Sequence, residues 1–191
     1  MLPCSHHPTG SKMHIRKAQP RDLPAIAKVH VDSWRTTYAG IVASEFLASL
    51  KYEESERMWR EGLLSSTNPL SLYVAETPDG AVVGFAAAGH EREGDTTYKG
   101  EIYAIYVLQN YQRQGIGTAL FTACVRELER RGFGAFLLWV LKTNPARNFY
   151  RALGGKFLRE QEIQIGNKRL LEVAYGWADA RDILEPMTGG D

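Results

Sequence analysis

Residues 101–120 hold the side chains and spacing best suited to chemistry. A β-branched and aromatic run, Glu-Ile-Tyr-Ala-Ile-Tyr-Val (101–107), leads into Gln112-Arg113-Gln114-Gly115-Ile116-Gly117 and then directly into a helical pattern. The first N–H groups of a helix have no intrahelical acceptor and, with the helix dipole, place positive potential where a phosphate can sit. Gly115 and Gly117 keep side chains out of the way of such a group and tolerate the dihedrals of a tight turn. Three readings compete for this turn. A dinucleotide fingerprint would need a third glycine where Leu120 stands, and a βαβ series after it. A nucleoside-triphosphate loop would need Gly-Lys-Ser/Thr, which does not follow. The third reading is a glycine pair that makes a helix-capping turn and nothing more.

The surrounding pattern predicts the elements that must position this turn. A short strand covers 14–18. Asp22-Leu23-Pro24 starts a helix, with Asp22 as N-cap, and Ala25, Ile26, Val29 and Trp34 recur at helical spacing to about Ser33. A second helical region at 44–64 carries Phe46, Leu47, Leu50, Met58, Trp59 and Leu63, and Ser-Ser-Thr-Asn-Pro (65–69) breaks it. Strands at 70–76 and 81–89 flank Thr77-Pro78-Asp79-Gly80, a strong hairpin signal, and 91–100 is a polar loop. The run at 101–107 reads as a strand buried on both faces, whose alternation places Glu101, Tyr103 and Ile105 on one face and Ile102, Ala104 and Tyr106 on the other. The following helix extends to Arg131 and stops at Gly132. A buried strand at 135–141 precedes a short helix from Asn144-Pro145 to about Leu153, and strands at 157–165 and 169–177 form a hairpin around Gly166-Asn167.

Composition bounds the function classes. At about 150 residues per domain, 191 residues make one domain, and 44% hydrophobic with 24% charged residues is ordinary for a globular one. Lys and Arg (23) against Asp and Glu (22) give a net charge of +1, which argues against a nucleic-acid partner. Cys4 and Cys124 cannot build a disulfide framework. No apolar run is long enough to span a membrane, and no secretory h-region precedes residue 13, so a cytoplasmic location is expected. Cys4, His6 and His7 could be drawn as a metal cluster, but their Pro/Gly/Ser-flanked context reads as a tail, and no metal is expected.

The order of these features, glycine turn after 101–107, then a helix, then Trp-Val-Leu-Lys-Thr-Asn (139–144) and Ala-Arg-Asn-Phe-Tyr-Arg-Ala-Leu-Gly-Gly-Lys-Phe (146–157), resembles the GNAT superfamily of acyl-CoA-dependent N-acetyltransferases. Trp-Arg-Thr-Thr-Tyr-Ala-Gly (34–40) is similar to the early segment of many bacterial members. The resemblance implies a mixed α/β fold: a central, mostly antiparallel twisted sheet of about seven strands with a splayed central pair, and about four helices. It assigns 13–178 to the acetyltransferase domain, with tails at 1–12 and 179–191. It implies acetyl-CoA as co-substrate. Backbone groups of Ile105, Tyr106 and Val107 would bind the pantetheine arm, and those of Gln112, Arg113, Gln114, Gly115, Ile116, Gly117 and Thr118 the pyrophosphate, with the Thr118 hydroxyl and Arg113 adding contacts. Asn144 would bond the pantetheine or serve as an N-cap. Tyr150 matches the family tyrosine that protonates the departing thiolate; as a residue type alone it could equally be a core aromatic.

An ammonium has no lone pair, so the acceptor must lose a proton. Glu101 is the leading base, acting through water, against a plain solvated carboxylate at a strand end; His90, or no dedicated base, are the rivals. A backbone N–H near Ile105 or Tyr106 is the expected oxyanion donor. Cys124 sits mid-helix among apolar neighbours, which favours direct transfer over an acyl-enzyme. Trp34, Tyr38 and Tyr103 could wall an acceptor pocket. Glu91, Glu93, Asp95 and Glu101 make its approach acidic, with Arg92 and Lys99 as partial counterweights, which favours a cationic amine, either small or on a peptide or protein. The resemblance is compatible with a homodimer. The alternative is a non-catalytic acyl-CoA-binding regulatory module, which would commonly lose the tyrosine or the glutamate; both stand here.

Overall fold

The computed structural model describes residues 13–185; the Cys4, His6 and His7 group lies outside them. Seven strands form one sheet: β1 (His14–Lys17), β2 (Ser71–Glu76), β3 (Val82–His90), β4 (Gly100–Val107), β5 (Phe136–Leu141), β6 (Lys156–Ile165) and β7 (Lys168–Trp177). Their order is β1-β2-β3-β4-β5-β7-β6, and every pairing is antiparallel except β4 with β5. The two hairpins fall where the sequence places them, because Gly80 (φ +87°) and Gly166 (φ +60°) take the left-handed conformations their turns require.

Helices cover both faces. On one lie α1 (Leu23–Thr37), α2 (Ser44–Ser49) and α3 (Tyr52–Leu63); on the other lie α4 (Ile116–Arg130), α5 (Arg147–Ala152) and α6 (Arg181–Leu184). Strand β3 is buried on both sides and feeds both cores. Phe85 and Ala87 pack with Leu23, Ile26, Val29 and Trp59, whereas Ala86 and Ala88 pack with Leu120, Phe121, Leu128 and Trp177.

Among the described residues there are six helices rather than about four. The single helical region expected at 44–64 breaks at Leu50 and Lys51, both extended, and Arg35 satisfies the freed carbonyls by donating to Leu50 O (2.8 Å) and Leu47 O (3.4 Å). Helix α1 runs one turn past Ser33 to Thr37, with Thr36 Oγ1 donating to the Asp32 and Ser33 carbonyls. Asp22 precedes α1 but does not cap it; its carboxylate accepts from the Gln19 N–H (2.7 Å) and from Arg16 (2.7 and 2.9 Å). Residues 179–185, read from sequence as the start of a tail, continue the fold. Ala180 is fully buried and donates to Gly134 O at 2.7 Å, while Ile183 and Leu184 pack against the α4 core.

One irregularity re-aims the central strand. Ala87 pairs with Ala104 and Ala88 with Ile102, so Tyr103 is the extra residue of a β-bulge. Parity flips there, correcting the strict alternation expected for 101–107. Ile102, Ile105 and Val107 join the α4-side core, and Tyr103, Ala104 and Tyr106 the α1-side core. Alternation below the bulge puts Glu101 on the same side as Tyr103.

Candidate active site

Strands β4 and β5 pair at only two positions, Gly100 with Phe136 and Glu101 with Leu137, and then part. Between them lies a cavity of about 700 Å³, walled by Ile102 to Val107 on one side and by Leu138, Trp139 and Val140 on the other. The edge of β4 that faces β5 beyond Glu101 therefore keeps its backbone groups for something else. Such an edge suits an extended ligand with amide groups, bound as a strand would be.

One end of the cavity is the glycine turn. A 3-10 turn at Gln109–Tyr111 follows β4, and Gln112 Nε2 donates back to Val107 O at 3.0 Å, fixing the loop to the strand end. Arg113 (φ +61°) and Gly115 (φ +79°) are both left-handed, a costly conformation for a non-glycine residue, of about 1 kcal/mol or more. Helix α4 then begins without a side-chain cap, leaving its first N–H groups aimed at the opening. Gln112, Arg113, Gly115, Gly117 and Thr118 line the cavity. Ile116 points into the core and Gln114 donates to Asn110 O (3.2 Å), so these two can offer only backbone groups.

In the middle sit Asn144 and Tyr150. Asn144 Oδ1 accepts the Ala146 N–H at 2.9 Å, an Asx turn that leads into α5, so the capping reading is realised in part. Burial raises the Tyr38 phenol pKa, with Tyr106 and Asn144 nearby opposing. Tyr150 is buried beside Phe149 and lines the cavity. Burial, with Tyr38 nearby, pushes its phenol well above 10, so the proton stays on it.

Glu101 does not line the cavity: it is 1% exposed, precedes the lining residues Ile102 and Tyr103, and occupies the last position where β4 and β5 still pair. Both carboxylate oxygens accept from Arg92: Oε1 from Nη2, and Oε2 from Nε (3.1 Å) and the backbone N–H (3.3 Å). Burial raises the Glu101 pKa, with Arg92 opposing. The Tyr103 hydroxyl donates to His90 O, and its phenol is pushed up to about 12 by burial. Tyr38 and Tyr103 line the cavity. Trp34 does not; its indole packs on Tyr38 and Phe46 and donates to Tyr106. His90 also lies away from it, edge-on to Phe133 on the α4 side. Cys124 is fully buried in α4, where burial raises its thiol pKa and suppresses the thiolate. Among the described residues no group of three or more His, Cys, Asp or Glu could hold a metal.

Sequence reasoning missed Ser33, at the expected end of α1, Thr36 and Thr37, which reach the cavity from its added turn, and Trp139 from β5. A polar trio at the end of an amphipathic helix was the available signal for the first three. Sequence alone marks Arg92 only as one of two counterweights to the acidic approach; that it pairs with Glu101 is seen in the fold.

Residues 29–154 match the model of the acetyltransferase (GNAT) family. The chain is 41% identical over 165 residues to the uncharacterized N-acetyltransferase YuaI of Bacillus subtilis, covering 86% of this chain and 92% of that one. It is 26% identical over 147 residues to a spermidine N(1)-acetyltransferase of Thermoplasma acidophilum, covering 75% and 88%. The crystal structure of the PaiA N-acetyltransferase of the same organism in complex with coenzyme A superposes with a TM-score of 0.65 at 24% identity, over 84% of this chain and 98% of that one.

Proposed function

The chain belongs to the GNAT family of acetyltransferases, and from that premise we propose that it transfers an acetyl group from acetyl-CoA directly to the primary amine of a cationic acceptor, both substrates being bound together. The observation that carries this reading is the continuity of one cavity from the Gly115–Gly117 turn, past Tyr150, to Ile102 and Tyr103, the residues that follow Glu101 in β4. Amides of the turn hold the pyrophosphate, and the free edge of Ile105 to Val107 holds the pantetheine. A β4 backbone N–H near Ile105 or Tyr106 faces the developing oxyanion. The amine passes its proton to Glu101 through water and attacks the carbonyl carbon; as the C–N bond forms and the C–S bond breaks, Tyr150 protonates the sulfur. A thiolate whose conjugate acid has pKa about 8.5 is a weaker base than a buried phenolate, so this transfer is completed only as solvent reprotonates Tyr150.

The acceptor class rests on the same end of the cavity and not on the whole acidic loop. Glu91 is spent on the N–H groups of Glu93 and Asp95, and Asp95 on those of Thr97 and Tyr98 and on Arg159. Tyr103 lines the cavity with the buried Glu101 carboxylate behind it, and a relative that acts on spermidine fits such a site. We place the enzyme in the cytoplasm, in keeping with a reduced, buried Cys124; no helix among the described residues is long and apolar enough to cross a membrane. Thiol release from acetyl-CoA across a panel of mono-, di- and polyamines tests the reading: release with cationic amines is expected, and none with any amine would overturn it.

A further inference from the structure

Glu101 and Tyr103 already hold a cation. The guanidinium of Arg92 spans both Glu101 oxygens, and its central carbon lies 4.5 Å from the centre of the Tyr103 ring. A carboxylate with an aromatic face beside it is the arrangement that binds ammonium and guanidinium groups. Its fixed parts are well held. The Tyr103 hydroxyl is tied to His90 O, and Glu101 is buried in the sheet. The occupant is the loose part: the Arg92 side chain is 61% exposed against 1% for Glu101. A buried carboxylate stripped of its partner is strongly unfavourable, so only another cation can take the place of Arg92. The cavity is lined by Tyr103 and Ile102, next along the strand from Glu101, so a cation bound there lies beside the pair and reaches Glu101 as Arg92 leaves.

We propose that Arg92 occupies the subsite of the acceptor's cationic group, and that an ammonium or guanidinium of the acceptor displaces it from Glu101 and Tyr103 before transfer. The inference rests on the amine-acetylation reading and deepens it, naming the class of group bound and the residue that sets its affinity. A subsite that the chain's own guanidinium fills lowers the apparent affinity for an external cation in proportion to the fraction left open, about tenfold where about a tenth is open.

Titration of methylguanidinium into the CoA-saturated protein, followed by calorimetry or by NMR shifts, tests this. Arg92→Gln should bind the probe about tenfold more tightly than wild type, with Arg92→Lys between them, and binding should vanish in Arg92→Gln/Glu101→Gln. Equal affinity for wild type and Arg92→Gln, no binding to Arg92→Gln at millimolar probe, or binding that survives in the double variant overturns the proposal. Turnover plays no part in this readout. A protein that acetylates no amine but shows the gain keeps the subsite and loses the proposed function; one that acetylates amines without the gain does the reverse.

Discussion

The Trp34 indole donates to the Tyr106 hydroxyl at 2.9 Å, joining α1 to β4 three residues past the bulge. Trp34 lies outside the cavity while Tyr106 lines it, so the bond braces a wall of the site from behind. Trp34→Phe keeps the ring and deletes the donor. It should destabilise the fold by about 1 kcal/mol in denaturant unfolding and leave acetyl-CoA affinity unchanged. A loss of acetyl-CoA affinity at unaltered stability would show instead that Trp34 touches the ligand.

Tyr150→Phe should lower kcat by about 10²- to 10⁴-fold, with the KM for acetyl-CoA nearly constant, because it removes only a proton needed in the transition state. Since burial holds the phenol above 10, Tyr150 should contribute no alkaline limb to the pH–rate profile below pH 10. Equal losses in kcat and in acetyl-CoA affinity would identify a packing residue.

Glu101 must be ionised to accept a proton, and burial raises its pKa, so kcat/KM should fall on the acid side at a pH above the usual carboxylate range. Arg92 lowers that pKa, and an acceptor cation that displaces it acts with the same sign, so the corresponding limb of kcat should stay close to that of kcat/KM. Glu101→Gln should abolish the limb. A variant that keeps the wild-type acid limb rules Glu101 out as the base.

Glu127 of α4 ties the helix to β2: its carboxylate accepts from Ser71 Oγ (3.0 Å), the Tyr73 hydroxyl (3.3 Å) and Arg130 (2.8 and 2.9 Å). Arg130 is the main cause that holds it at about 2 instead of 4.5. A depressed carboxylate stabilises the fold above its unfolded pKa, and that stability is lost as pH falls from about 4.5 through about 2. Glu127→Gln should cost about 2 kcal/mol near pH 7, after allowing for the exposure of Arg130. The difference from wild type should close toward pH 2 in unfolding curves; a constant difference over that range would mean that the charge is not responsible.

Much of this was legible in the sequence because it is enforced locally. Gly80, Gly166 and Gly115 each sit where φ must be positive, so the two hairpins and the start of α4 announce themselves. Tyr103 shows the opposite case. Its bulge is defined by register against Ala87 and Ala88, some fifteen residues away, and no local pattern encodes it; yet it decides which side chains share a face with Glu101. The break at Leu50 and Lys51 depends likewise on Arg35 arriving from another helix, and the Glu101 partner comes from across a loop.

Initial rates of thiol release at crossed concentrations of acetyl-CoA and a diamine test the central claim most directly. Direct transfer between two bound substrates predicts intersecting reciprocal plots and no acetylated protein when the amine is omitted. Parallel plots, with acetyl-CoA alone leaving an acetyl group on the protein, would contradict it.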